Sequence, residues 1–259
     1  MKQVFNTCIL SLVILTSSFL PASVTAQESG WAPRVVPDHA AGFSFHRPQL
    51  GGIFRIGLQK GSDSFWLGER DGLEEKDVNG ALVYTMKEPW SGGTLLLRAA
   101  RLSTTDGLVM QVEVTDVTDS VMLIWSFGGC YGTRVEQTEA LRLLPDYCKD
   151  NVFSVEGNAF TAYYGTTMDL KLMMGVVPSG GEVRLSDARQ QEKPLLFFQS
   201  GKKTDAPALT GRYLLKNGKK TYFCLYIQNA KADYNYYMLP KLFRKESSGN
   251  LLTDKLNQQ

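Results

Sequence analysis

Short apolar or alternating runs, each closed by a glycine- or asparagine-bearing turn, recur along this 259-residue chain. No long amphipathic helical pattern separates them. Roughly a dozen such runs, spaced by about 8–15 residues, predict an all-β, antiparallel β-sandwich rather than a parallel α/β sheet. Ile53 to Leu58, Ser64 to Leu67, Ala81 to Met86, Thr94 to Arg98 and Leu108 to Val114 read as strands. Lys60-Gly-Ser-Asp63, Asp71-Gly72, Asn79-Gly80, Ser91-Gly-Gly93 and Asp106-Gly107 supply the turns between them.

The most apolar run is Val121 to Phe127, followed by Gly128, Gly129 and Gly132. It reads as a central strand covered on both faces that empties into a glycine-shaped loop carrying Cys130, Tyr131 and Arg134. In the second half, Val152 to Val155 and Ala159 to Tyr164 form a hairpin about Glu156-Gly-Asn158, and Leu170 to Val177 follows. Pro194 to Phe198 reads as a further apolar strand. The clearest hairpin signal is Asn217-Gly218, between Gly211 to Lys216 and Lys219 to Gln228, because a type I′ turn demands positive φ at both central residues. Leu185 to Glu192 and Leu239 to Lys245 predict one or two short helical turns. Trp31 to Pro48, punctuated by Pro33, Pro37 and Pro48, reads as irregular, and the tail after Glu246 as polar and frayed.

The N-terminus has the form of a cleavable signal peptide over residues 1–26: Lys2 in the n-region, Ile9 to Leu20 as the apolar core, and Val24-Thr25-Ala26 as the cleavage site. That predicts a secreted or periplasmic protein, with residues 27–259 forming a single sandwich domain and no membrane contact after cleavage. The formal charge is +2, and it falls to about +1 once Lys2 leaves. So even a balance gives no electrostatic footprint for nucleic acid, which is excluded as a partner. Three cysteines survive cleavage, Cys130, Cys148 and Cys224. The oxidising compartment permits one disulfide, Cys130 and Cys148 being nearest in sequence; otherwise all three read as small buried hydrophobes.

Most catalytic signatures are absent. Asp38, His39 and His46 hold both histidines of the chain, at a spacing that matches no metal-ligand pattern. No Gly-x-Ser-x-Gly elbow occurs, and the 128–132 glycines lack the Lys-Ser/Thr of a phosphate loop. No metal or cofactor is expected. A secreted glycosidase needs two carboxylates held a few ångströms apart. Glu113, Asp116, Asp119, Glu136, Glu139, Asp146 and Asp187 are available, but no motif singles out a pair. Aromatic rings are the remaining lead, because sugars stack on Trp and Tyr faces flanked by polar groups. Trp66, Trp90, Trp125, Tyr163 and Tyr164 are eligible, with Trp125 reading as core. Tyr131 with Arg134, and Tyr234 with Tyr236 in the run Tyr234-Asn-Tyr-Tyr237, are the binding candidates expected to be exposed.

Four motifs together carry a resemblance: Trp125-Ser-Phe-Gly-Gly-Cys-Tyr-Gly-Thr-Arg134, Pro145-Asp-Tyr-Cys-Lys149, Arg184-Leu-Ser-Asp-Ala-Arg189 and Ala206-Pro-Ala-Leu-Thr-Gly211. The chain resembles the family of domain of unknown function 4450, most strongly from Val121 to Phe243. The resemblance implies a supersandwich-like domain of secreted Bacteroidetes proteins, which in longer members precedes a glycoside-hydrolase-like α/α-toroid where the catalytic carboxylates are expected. It assigns no functional residue in the sandwich, and no toroid sequence occurs before Gln259.

The expectation is therefore a secreted, non-catalytic β-sandwich module of the carbohydrate-processing kind. Its partners would be a polysaccharide or oligosaccharide, or a partner enzyme or toroid-domain protein. Two rivals stand beside it: a self-sufficient polysaccharide-degrading enzyme using an Asp/Glu pair, and a structural scaffold that docks onto a partner protein.

Overall fold

The structure, a computed structural model, describes residues 34–38, 41–47, 50–78, 81–90, 92–117, 120–129, 142–149, 151–164, 173–201 and 203–248. All of them fall in one compact unit of the chain. Strands dominate. β1 (Arg34–Asp38), β2 (Gly42–Arg47), β3 (Leu50–Lys60) and β4 (Asp63–Trp66) enter the first sheet. β5 (Leu73–Val78), β6 (Ala81–Lys87), β7 (Thr94–Arg101) and β8 (Gly107–Thr115) enter the second. β9 (Met122–Gly128) returns to the first sheet, and β10 (Asn151–Glu156), β11 (Ala159–Tyr164) and β12 (Met173–Val176) go to the second. β13 (Glu182–Asp187) and β14 (Pro207–Leu214) rejoin the first, and β15 (Thr221–Ile227) closes the second.

The first sheet has seven strands in the order β1-β2-β3-β9-β14-β13, with β4 also paired to β3. The second has eight, ordered β10-β11-β12-β15-β8-β7-β6-β5. Every pairing between these strands is antiparallel. The predicted sandwich is the observed architecture, and β9 is an inner strand of the first sheet, buried on both faces.

Alternation sends one residue set of each strand into the space between the sheets. Phe43, Phe54, Leu123 and Trp125 from the first sheet meet Tyr84, Leu97, Met110, Phe160 and Phe223 from the second. Trp125, 1% exposed, lies flat between Phe54 and Phe160, at centroid distances of 6.0 and 5.5 Å. The outer faces are also apolar, which explains the near-continuous hydrophobic runs of β9 and β15. On the first sheet, Ile53, Trp66 and Ala208 are covered by α1 (Pro145–Cys148), a 3-10 turn over Ala188–Gln190, and α2 (Pro194–Gln199). On the second, Val109, Tyr222, Cys224 and Tyr226 are covered by α3 (Leu239–Glu246), through Leu239 and Phe243.

Glu246 fastens α3 to the sheet. It is 2% exposed, and its carboxylate accepts from the Ser103 backbone N–H at 3.1 Å and from the Ser103 hydroxyl at 2.9 Å. On the opposite outer face, the buried Arg55 guanidinium stacks 4.1 Å from the Trp66 ring centre and donates to Glu69 at 3.2 Å.

Four sequence expectations are corrected. The Trp31–Pro48 stretch contains the β1–β2 hairpin, and Pro37 is accommodated because β1 is an edge strand. Pro194 to Phe198 is helical: Pro194 supplies the fixed φ of a first turn, and the Leu195 N–H left unpaired there donates to Ser64 Oγ at 3.1 Å. A run of five apolar residues does not distinguish the two periods. Leu185 to Glu192 begins as the end of β13; only Ala188–Gln190 turns helically, with Asp187 accepting from the Arg189 N–H at 3.0 Å.

Asn217-Gly218 does not close the predicted hairpin. β14 and β15 lie in different sheets, so the turn carries the chain across the sandwich. Gly218 has φ 69°, while Asn217 is not in the left-handed region. Only the second central residue is left-handed, as in a type II turn, with the Lys219 N–H donating to the Lys216 carbonyl at 2.9 Å. The Gly218 N–H is tied to the Val114 carbonyl at the end of β8.

Among the described residues no helix is long and apolar enough to cross a membrane.

Candidate functional site

At one end of the sandwich, β4 of the first sheet meets the β6–β7 connection of the second. β6 ends at Lys87, and the chain then folds back through Glu88, Pro89 and Trp90 before β7 starts at Thr94. The Glu88 N–H donates to the Gly93 carbonyl at 2.9 Å, closing the loop at its base. Glu88 holds φ 48°, a left-handed conformation that costs a non-glycine residue about 1 kcal/mol. Gly93, at φ 79°, is required: a Cβ there would sit 2.7 Å from the Thr115 carbonyl oxygen.

Trp90 is the centre of this corner. Its indole N–H donates to Asp63 Oδ2 at 2.9 Å, and its ring packs edge-on against Phe65 with centroids 4.9 Å apart. Arg70 follows the 3-10 turn Leu67–Glu69, which swings it back over β4. Its guanidinium lies 4.3 Å from the Phe65 ring centre and 5.9 Å from that of Trp90, and Nη1 donates to the Pro89 carbonyl. A cleft of about 500 Å3 opens here, lined by Arg70, Asp71, Met86, Lys87, Glu88, Pro89 and Trp90. Hydrogen bonding from Trp90, supported by the charges of Arg70 and Lys193 and by the Ser64 N–H, holds the Asp63 carboxyl below its usual range. An ionised Asp63 in turn fixes the indole.

A half-buried indole, an oriented guanidinium and free carboxylates around one concavity suit a polyhydroxylated ligand: the Trp90 ring offers apolar contact and the charged groups offer hydrogen bonds. Among the described residues, Trp90 alone of the aromatic residues singled out in the sequence lines this cleft. Trp66 and Trp125 are buried, and the Trp66 indole N–H donates to the Gln191 carbonyl at 2.8 Å.

Tyr131 and Arg134, together with Cys130, lie outside the described residues. Tyr234 and Tyr236 belong to the outer face of the second sheet, packed beside α3, and so are brought together with each other but not with Trp90. The Tyr234 hydroxyl meets the Thr104 hydroxyl at 2.6 Å, its N–H donates to the Tyr226 hydroxyl at 3.0 Å, and the two rings meet edge-on at 4.8 Å. Tyr236 hydrogen-bonds the Tyr222 backbone, and burial raises both phenols above their usual range. The neighbouring Tyr237 is the exposed tyrosine of the run, at 93%.

The carboxylates that fall in the described residues have surroundings of their own. Glu113 faces Arg98 at 3.9 Å, Asp146 pairs with Lys149 at 2.7 Å, and Asp187 caps its turn beside Arg189. Asp116 is exposed in a left-handed turn at φ 57°. Asp119, Glu136 and Glu139 are outside the described residues. Cys148 and Cys224 are free and buried. Among the described residues, no three His, Cys, Asp or Glu side chains gather as a metal site.

Arg70, Asp63, Lys87 and Glu88 were not legible as site residues. Their only sequence signal is proximity to Trp90 or to a turn.

Comparison with known proteins gives a family and similar solved structures. The sequence profile of the family described as "Domain of unknown function (DUF4450)" matches residues 47–247. No curated protein matches. Among solved structures, a bacterial glucoamylase complexed with acarbose is similar at 9% identity and a TM-score of 0.40. The match covers 84% of this chain and 37% of the glucoamylase, so this chain corresponds to well under half of that protein's length.

Proposed function

The chain belongs to the DUF4450 family, and from that premise we propose that it is a secreted, non-catalytic sugar-binding module of the carbohydrate-processing kind. It acts free-standing or beside a partner enzyme, with the Trp90 cleft as its contact surface. One observation carries this reading: the indole of Trp90 is pinned by Asp63 and packed on Phe65, while Arg70 and Glu88 stand around it in a single concavity. Such preorganisation limits the side-chain entropy lost on binding. The signal-peptide-like N-terminus supports an extracytoplasmic setting, where polysaccharides are met.

The test is affinity electrophoresis of the protein from Gln27 through gels containing plant or host polysaccharides, with parallel assay of reducing ends. Retardation by a glycan without product, lost in Trp90→Ala, supports the reading. Absence of retardation by every glycan would sink it, and release of product would replace it with the self-sufficient enzyme.

A further inference from the structure

We propose that the Trp90 cleft selects an acidic glycan, one bearing a carboxylate or a sulfate ester, and that Arg70 is the residue that pairs with the acid group. The inference rests on the reading of the cleft as a sugar site and narrows its ligand class. Arg70 is exposed, yet its guanidinium is fixed at two points: the plane rests on Phe65 at 4.3 Å, and Nη1 donates to the Pro89 carbonyl. Nε and Nη2 make no hydrogen bond with a described residue, and these two N–H groups form the edge that meets two oxygens of a carboxylate or sulfate in parallel.

Asp63, whose carboxyl feels the Arg70 charge, does not consume that edge. The Asp63 carboxylate is occupied by the Trp90 indole N–H and the Ser64 backbone N–H, so the Arg70 charge acts on it only through space. Arg70 contrasts here with Arg55, Arg142, Arg184, Arg189 and Arg212, each of which pairs with a Glu or Asp carboxylate. An oriented guanidinium left without a carboxylate is a poor contribution to stability and a good one to anion recognition.

The other charged groups of the lining are Lys87 on the positive side and Asp71 and Glu88 on the negative. With Arg70 counted, the lining carries two positive and two negative groups, so the cleft draws no anion by bulk field. Discrimination comes from the fixed fork, while the Asp71 and Glu88 carboxylates remain free to accept sugar hydroxyls. This sets the site apart from a basic patch, which would bind any polyanion.

The experiment compares ligands that differ only in the acid group, on the intact protein: polygalacturonate against its methyl ester, and chondroitin sulfate against its desulfated, carboxyl-reduced form. Retention of an acidic polymer and roughly tenfold or greater weakening toward its neutral counterpart supports the proposal. Retention of polygalacturonate identifies carboxylate, and retention of chondroitin sulfate that is lost on desulfation alone identifies sulfate. Arg70→Gln should abolish the difference, and Arg70→Lys should restore only part of it, because an ammonium is not a planar fork. Equal binding of acidic and neutral forms, or binding of neutral glycans alone, overturns the acidic assignment and leaves the sugar-site reading standing. Binding of no glycan overturns both. The wild-type ligand comparison decides the matter even if the Arg70 variants are unstable.

Discussion

Gly211 lies directly against the indole of Trp125: the two are cross-strand partners of β14 and β9, and a Cβ on Gly211 would fall 2.3 Å from Trp125 Cε2. The same device recurs across the core, where a Cβ on Gly175 would fall 2.0 Å from Cε1 of its partner Phe160. Trp125 and Phe160 then stack on each other with planes 15° apart. Two glycines thus leave room for two large rings to lie flat between the sheets. Gly211→Ala is expected to destabilise the fold by about 1–3 kcal/mol through overpacking, read as a lower midpoint in denaturant unfolding. An unchanged midpoint would show that the indole can move aside.

At the cleft, Trp90→Phe and Trp90→Ala separate two contributions. Phe keeps the ring against Phe65 but loses the bond to Asp63; Ala loses both. Glycan affinity should fall by at least about tenfold in the Ala variant and by less in the Phe variant, as affinity electrophoresis measures.

Asp63 adds a pH signature. Its folded-state pKa is depressed by the Trp90 hydrogen bond first of all, so the contact is intact above the ordinary carboxylate range and weakens as pH falls through the folded value. The indole N–H resonance of Trp90 should shift in acid and stay constant through neutral pH. In Asp63→Asn that acid transition should be absent.

Cys148 and Cys224 should behave as protected thiols. Burial pushes Cys148 up to about 12 and Cys224 well above its usual value of 9.0. Because the folded-state values are raised, the protonated thiols' contribution is complete below the unfolded value and is lost only as pH rises through the folded one. Iodoacetamide at about pH 8 should leave both unmodified in the native protein and alkylate both after denaturation, as peptide mass mapping reads. Fast native alkylation of either one would contradict its burial.

Glu246→Ala should loosen α3. It removes the acceptor of the Ser103 N–H and hydroxyl, at a net cost of about 0.5–1.5 kcal/mol per bond because water can reach the exposed Ser103 donors. Hydrogen exchange in α3 and at the end of β7 should accelerate before that of β9. Exchange rising equally everywhere would mean that the helix does not open on its own.

The layering of the fold was legible because burial on both faces leaves a composition signal. Val121 to Phe127 contains almost nothing polar, and β9 is an inner, doubly covered strand. Elements set by distant partners were not legible. Leu73 to Val78, with Glu74, Glu75, Lys76 and Asp77, is not among the strands read from the sequence, yet forms the edge strand β5, where charge on the open side is favoured. Pro194 to Phe198 is helical, and its free Leu195 N–H is satisfied by Ser64, far earlier in the chain. At the site, Trp90 was visible as an aromatic residue, but Arg70 became a site residue only through its placement over Phe65 and beside Pro89.

Among the described strands, the type II turn at Asn217-Gly218 is one of five places where the chain passes from one sheet to the other, after β4, β8, β9, β12 and β14. The two sheets are therefore interleaved along the sequence rather than assigned to separate halves. Cutting the chain at any connection divides at least one sheet between the fragments and leaves unpaired strand edges on both. Neither sheet can be completed until residues far apart in sequence have met, which makes assembly slow to nucleate and hard to undo piecemeal. Strain placed in one layer is consequently read out by the whole domain.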